Sequence, residues 1–171
     1  SGTSFDGSLL NSNIIRGSEK TLINISSELA KSNYDVFVFN NTAYEKNINN
    51  VKWHHIKSIK NFDNPDISIA FSDANLLNIV NCSKKFLWSH SVQTIEKFIR
   101  KKQLLPFLKN KPVVLVEGIY HYNNRNFFTS PFGKQIIKPA PDYDFINTKI
   151  DFNSIPNNNA IFTTRPDRNL S

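Results

Sequence analysis

The chain of 171 residues is 39% hydrophobic and 20% charged. That is enough apolar content for one compact domain of α/β size, and too much for a disordered chain. No run approaches the ~18 apolar residues of a membrane span. The opening Ser1-Gly2-Thr3-Ser4 lacks the basic-then-apolar layout of a signal peptide, so the expectation is a soluble, cytoplasmic domain. The single cysteine, Cys82, excludes an internal disulfide framework and a multi-cysteine zinc site. A net charge of +7 points to partners bearing phosphate or other negative charge: nucleic acid, anionic lipid or phosphorylated ligands. A composition rich in Asn, Lys and Ile accounts equally well for part of that basicity. The sequence contains no methionine, and the expectation is a piece of a longer protein, cut at both ends.

In chain order, residues 1–16 are polar and read as loop. Residues 18–30 place Leu22, Ile25 and Leu29 at helical spacing, with Ile23 and Ala30 flanking. Gly17-Ser18 supplies a turn and an N-cap before them. Short β-branched and aromatic runs follow at 35–39, 51–56, 66–71, 85–88, 112–116 and 135–138, each read as a strand. Helical stretches fall between them at 74–80 and 92–108. Strands of this length alternating with helices predict an α/β fold, a Rossmann-like, doubly wound and mostly parallel sheet. Residues 1–146 form that domain and 147–159, polar and ending in Asn157-Asn158-Asn159, read as a linker. Residues 160–171 read as the first strand and loop of a second domain.

Four groups of residues are candidates for chemistry. Gly17-Ser18-Glu19 lies where a loop feeds a helix, a place where free N–H groups and the helix dipole bind anions; an ordinary turn and cap is the alternative. His90 follows the strand Phe86-Leu87-Trp88, so it belongs at the carboxyl edge of the sheet, where open α/β folds place ligands. It either contacts a ligand hydroxyl or phosphate there or caps the next helix. His54 and His55 are neighbours on a strand, point to opposite faces and read as structural. The stretch 94–111 combines apolar residues with Lys97, Arg100, Lys101 and Lys102. Either Ile95, Phe98, Ile99 and Leu105 pack on the sheet, or the segment is an interfacial helix on an anionic membrane. No RNA-binding, zinc-finger or helix-turn-helix signature is present, so nucleic acid is not an expected partner.

Taken together, these elements resemble the amino-terminal half of a GT-B glycosyltransferase of the large retaining group that uses nucleotide sugars. Arg16-Gly17-Ser18-Glu19, the helix after it and Tyr34-Asp35-Val36-Phe37-Val38-Phe39 are similar to the family's Gly-Gly-x-Glu loop, helix and second strand. Trp88-Ser89-His90 resembles the strand that ends in histidine. Ser130 and Ile136-Ile137-Lys138-Pro139-Ala140-Pro141-Asp142 resemble the close of the first half. Phe162-Thr163-Thr164-Arg165-Pro166-Asp167-Arg168 resembles the opening of the donor domain. Arg16 stands where the family has its first glycine, and Arg168 or Asn169 where it has a lysine.

The resemblance implies transfer of a sugar from a nucleotide-sugar donor to a glycan or lipid-linked acceptor in a cleft between two halves, with no metal and no other cofactor. Gly17, Ser18, Arg165 and Arg168 would bind the donor diphosphate, and His90 would hold the transferred sugar or the acceptor. Arg16, Glu19, Ser130 and Asp142 would belong to loops that either meet the acceptor or are structural. The family's Glu-x7-Glu pair belongs to the donor half, so this chain alone is expected to be inactive. A non-catalytic α/β module that binds glycan or phosphate is the alternative.

Overall fold

The computed structural model describes residues 4–10, 15, 17–62, 64–90, 94–123 and 132–138. All fall within one compact unit, Ser1–Pro139. The expected linker and second-domain strand lie outside the described residues.

The first helix, α1 (Gly17–Lys31), buries Ile23, Ser26, Ser27 and Ala30. This stripe at i, i+3, i+4 and i+7 is one face of a 3.6-residue period. It is rotated from the expected one: Leu22 is half-buried at its margin. Small residues on the buried line let the helix backbone approach the bulky residues below, and Ser26 Oγ donates to the Leu22 carbonyl at 2.7 Å, so its burial leaves no hydroxyl unmatched. Asn33, at φ 64°, ends the helix. Its N–H donates to the Ala30 carbonyl and that of Tyr34 to the Leu29 carbonyl, both at 3.1 Å. This is a Schellman cap with asparagine in the left-handed position.

Beneath α1 lies a three-stranded sheet of β1 (Val36–Asn40), β2 (Lys46–Ile48) and β3 (Val51–His55), in the order β1-β3-β2. β1 and β3 are parallel, and β2 pairs antiparallel with β3. The sequence offered no strand at 46–48. Asn49 and Asn50, at φ 53° and 61°, form the two-residue turn that folds β2 back, because asparagine tolerates two successive left-handed positions. Ile23, Ala30, Val38, Val51 and Trp53 form the core between helix and sheet, with Phe5 edge-on to Trp53 at 6.1 Å.

The second sheet contains β4 (Ile67–Phe71), β5 (Lys84–Ser89), β6 (Val113–Val116) and β7 (Lys134–Ile136), all parallel and in that order. The described strands thus make two sheets, one mixed and one parallel. The α/β class and the parallel four-stranded sheet are compatible with a Rossmann-like layer. One face of this second sheet, with Ala70, Leu87, Val114 and Val116, is buried against Ala74, Leu77, Phe98 and Phe107. A 3-10 turn (Ala74–Asn78) stands where a helix was expected. Asp73 caps it by accepting from the Asn75 N–H at 2.9 Å.

The crossover from β5 to β6 is two short helices, α2 (Ile95–Arg100) and α3 (Leu104–Asn110), where the sequence predicted one continuous stretch. Phe98 and Phe107 are nine residues apart, so a single straight helix would set them about 180° apart. Breaking the helix between them brings both into the core, 4.9 Å apart by ring centroids. A final short helix, α4 (Ile119–Asn123), leads from β6.

Candidate functional site at the carboxyl edge of the parallel sheet

Parallel strands bring all their carboxyl ends to one edge, and three of those ends converge here. Ser89 on β5 pairs with Val116 on β6, so the next residues along, His90 and Glu117, leave the sheet side by side. His90 Nδ1 contacts Glu117 Oε1 in a close ion-pair geometry. Trp88, two residues before His90 and therefore on the same face, donates its indole N–H to the same carboxylate oxygen at 3.3 Å. Two donors converge on one acceptor, and in the neutral imidazole this places the hydrogen on Nδ1 and leaves Nε2 with its lone pair.

The ring is held from two further sides. Trp88 stacks on it, with centroids at 5.7 Å and planes at 24°, and Phe71 at the end of β4 meets it edge-on at 4.5 Å. Ser72, which follows Phe71, adopts φ 61° and donates its N–H to the Trp88 carbonyl at 2.9 Å. The chain thus turns away from the sheet immediately beside the imidazole. His90 and Glu117 side chains are 22% and 25% exposed, which leaves the pair accessible from the rim only. Within the pair, His90 Nε2 is buried and has no hydrogen-bond partner among the described residues. A buried acceptor left unmatched costs about 1–3 kcal/mol, which a ligand donor would recover.

His90 therefore sits at the sheet edge expected from the sequence. Glu117 was not among the residues singled out, because its role depends on the β5–β6 register, which no local pattern reveals.

The other predicted residues are distributed elsewhere. Gly17 and Ser18 head α1, on the three-stranded sheet, with Glu19 in the first helical turn. A Cβ at Gly17 would meet no atom within 4 Å, so packing does not demand glycine there. Lys97 and Arg100 lie on α2, and Lys101 and Lys102 in the turn after it. Of the apolar residues expected to pack on the sheet beside them, Phe98 does so, whereas Ile99 and Leu105 are exposed. The expected Ile99 and Leu105 contacts are absent because each lies off the buried line of its short helix, which Phe98 and Phe107 occupy. Arg16, Ser130, Asp142, Arg165 and Arg168 lie outside the described residues.

The remaining histidines on strands have structural partners. His54 Nδ1 pairs with Glu45 at 2.9 Å and its ring stacks on Phe39. His55 Nδ1 accepts from the Lys57 N–H at 3.1 Å, capping a 3-10 turn (Ile56–Asn61).

Comparison with protein-family models, with curated proteins and with solved structures found no match to this chain.

Proposed function

We propose that the chain is the acceptor-side half of a glycosyltransferase with the GT-B arrangement, acting on a nucleotide-sugar donor and a glycan or lipid-linked acceptor without a metal. The observation that carries this reading is the immobilised imidazole at the carboxyl edge of a parallel sheet, with its Nε2 lone pair unmatched. Such a group accepts a hydrogen bond from a sugar hydroxyl. Glu117, by holding Nδ1–H, keeps the acceptor nitrogen on the ligand side, where it can take the proton that a reacting hydroxyl sheds. Trp88 and Phe71 restrict the ring plane, so the hydroxyl is positioned as well as bound. The dipole of the fifteen-residue helix α1 suits a diphosphate at Gly17 and Ser18.

The test is release of nucleoside diphosphate from a panel of nucleotide sugars by the full-length protein that contains this chain. His90→Ala is expected to reduce turnover by about 10- to 100-fold, the worth of a hydrogen bond with a charged partner, while circular dichroism stays native. A wild-type protein that neither turns over nor binds any sugar overturns the proposal. Glycan or phosphate binding that His90→Ala abolishes, without any turnover, moves the assignment to a non-catalytic binding module.

A further inference from the structure

The α2–α3 hairpin has two sides of opposite character. Its inner side is in the core: Phe98 and Phe107 are buried, and Leu104 and Leu108 pack at the margin of the same cluster. Its outer side carries Ile99 and Leu105, which are 59% and 79% exposed. The same segment, 95–111, carries six cations, Lys97, Arg100, Lys101, Lys102, Lys109 and Lys111, all but Lys97 exposed, and the single carboxylate of Glu96. That carboxylate lies 3.8 Å from Arg100, with both groups in solvent. Most of the protein's net charge of +7 is thus carried by seventeen residues.

The backbone of the hairpin indicates that these cations are held there at some cost. Lys102 ends α2 at φ 54°, with its N–H donating to the Ile99 carbonyl at 2.9 Å and the Gln103 N–H to the Phe98 carbonyl at 2.8 Å. This is the same Schellman cap that ends α1, but with lysine in the left-handed position where glycine or asparagine is cheap. Lys111, at φ 46°, ends α3 in the same conformation. The other non-glycine left-handed residues among those described are Asn33, Asn49, Asn50, Asn64 and Ser72. Lysine thus takes the left-handed position at the end of both helices, and burial together with the charges of Lys101 and Arg100 lowers the pKa of the Lys97 ammonium. Mutual repulsion of this kind is relieved by a negatively charged surface.

We propose that the outer side of the α2–α3 hairpin is a docking surface for an anionic lipid bilayer, with Ile99 and Leu105 inserted among the acyl chains and Arg100, Lys101, Lys102, Lys109 and Lys111 at the level of the headgroups. The helices have six and seven residues, too short to cross a bilayer, and they lie along its surface. The two exposed apolar residues favour a bilayer over nucleic acid, whose phosphates would use the cations and leave Ile99 and Leu105 in water. This inference stands on the hairpin alone and does not depend on the transferase reading.

Co-sedimentation of the chain with vesicles of phosphatidylcholine and phosphatidylglycerol at about 0.1 M salt tests it. Binding is expected to the anionic vesicles and to be far weaker with phosphatidylcholine alone. Ile99→Ser with Leu105→Ser should weaken binding by about 10-fold or more. Arg100→Glu with Lys101→Glu and Lys102→Glu should weaken it by more than about 100-fold. Lys57→Glu with Lys60→Glu, which lowers the net charge at exposed positions on another turn, should leave it within about 2-fold. All these side chains are exposed, and circular dichroism checks that each variant is folded. Absence of binding by the wild type overturns the proposal, as does an equal loss in the Lys57 and Lys60 variant. Duplex DNA bound with the same charge dependence, together with vesicle binding that is unchanged in the Ile99 and Leu105 variant, overturns it in favour of nucleic acid.

Discussion

At the scale of single residues, the two groups with the most defined surroundings are His90 and Asp6, and each makes a measurable prediction. The Glu117 carboxylate takes a hydrogen from His90 Nδ1, so nitrogen NMR of the imidazole should show Nε2 as the unprotonated nitrogen of the neutral ring. Glu117→Ala removes that restraint and should return His90 to a mixture of tautomers. An Nε2–H signature in the wild type would contradict the geometry. Asp6 makes its contribution to stability rather than to the site. Burial pushes its pKa up, but hydrogen bonds from Lys46 and from the side chain and N–H of Ser8, with the Lys46 charge, outweigh burial and leave it below the ordinary aspartate range. A carboxyl whose pKa is lower in the folded state stabilises fully above its unfolded value and loses that stabilisation as pH falls through the folded one. Asp6→Asn should therefore cost about 1–3 kcal/mol near neutral pH, and the gap to wild type should close as urea midpoints are measured from pH 5 downwards. A gap that stays constant with pH would assign the loss to something other than the charge.

At the scale of elements, the α2–α3 hairpin sets stability against charge. Left-handed lysine at position 102 costs roughly 1–2 kcal/mol, and glycine would recover this less the greater freedom it gives the unfolded chain. Lys102→Gly should thus stabilise the protein by about 0.5–1 kcal/mol in urea titration while weakening binding to anionic vesicles. A variant that loses stability would show that the lysine contacts, not its backbone, decide the position. The hairpin also shows where sequence reasoning fails. Strands at Val36–Asn40, Val51–His55, Ile67–Phe71 and Val113–Val116 are legible because each is a compact β-branched or aromatic run. The break at Lys101-Lys102 carries no glycine or proline, and only the half-turn mismatch between Phe98 and Phe107 betrays it. The strand Lys46-Asn47-Ile48 has no β pattern of its own and exists because Asn49-Asn50 turns it onto β3. At the site, His90 is legible as the residue that ends a strand. Glu117 is not, since Glu-Gly after a strand is an ordinary exit until the register with β5 is known.

At the scale of the whole described unit, the two sheets share no strand-to-strand hydrogen bonding, and their cores have no residue in common. Phe62, following the 3-10 turn after β3, packs at 4.4 Å from Phe37 and 5.4 Å from Phe39, which keeps this connection against the three-stranded sheet before the chain enters β4. The core of the parallel sheet contains eight buried residues and that under α1 five, so the first has more apolar surface removed from water. Cooperative units with separate cores open at separate free energies. Native-state hydrogen exchange in increasing urea should therefore release the amides of β1 and β3 before those of β5 and β6, with exchange in the first group at least about tenfold faster at low denaturant. The site lies wholly within the more protected group, since Phe71, Trp88, His90 and Glu117 belong to β4, β5 and β6 or follow them directly. A ligand that donates a hydrogen bond to His90 Nε2 should slow exchange in β5 and β6 and leave β1 and β3 as they were. Release of all four strands at one urea concentration would mean that the two cores fold as one, and that a ligand at His90 stabilises α1 and its Gly17-Ser18 turn as well.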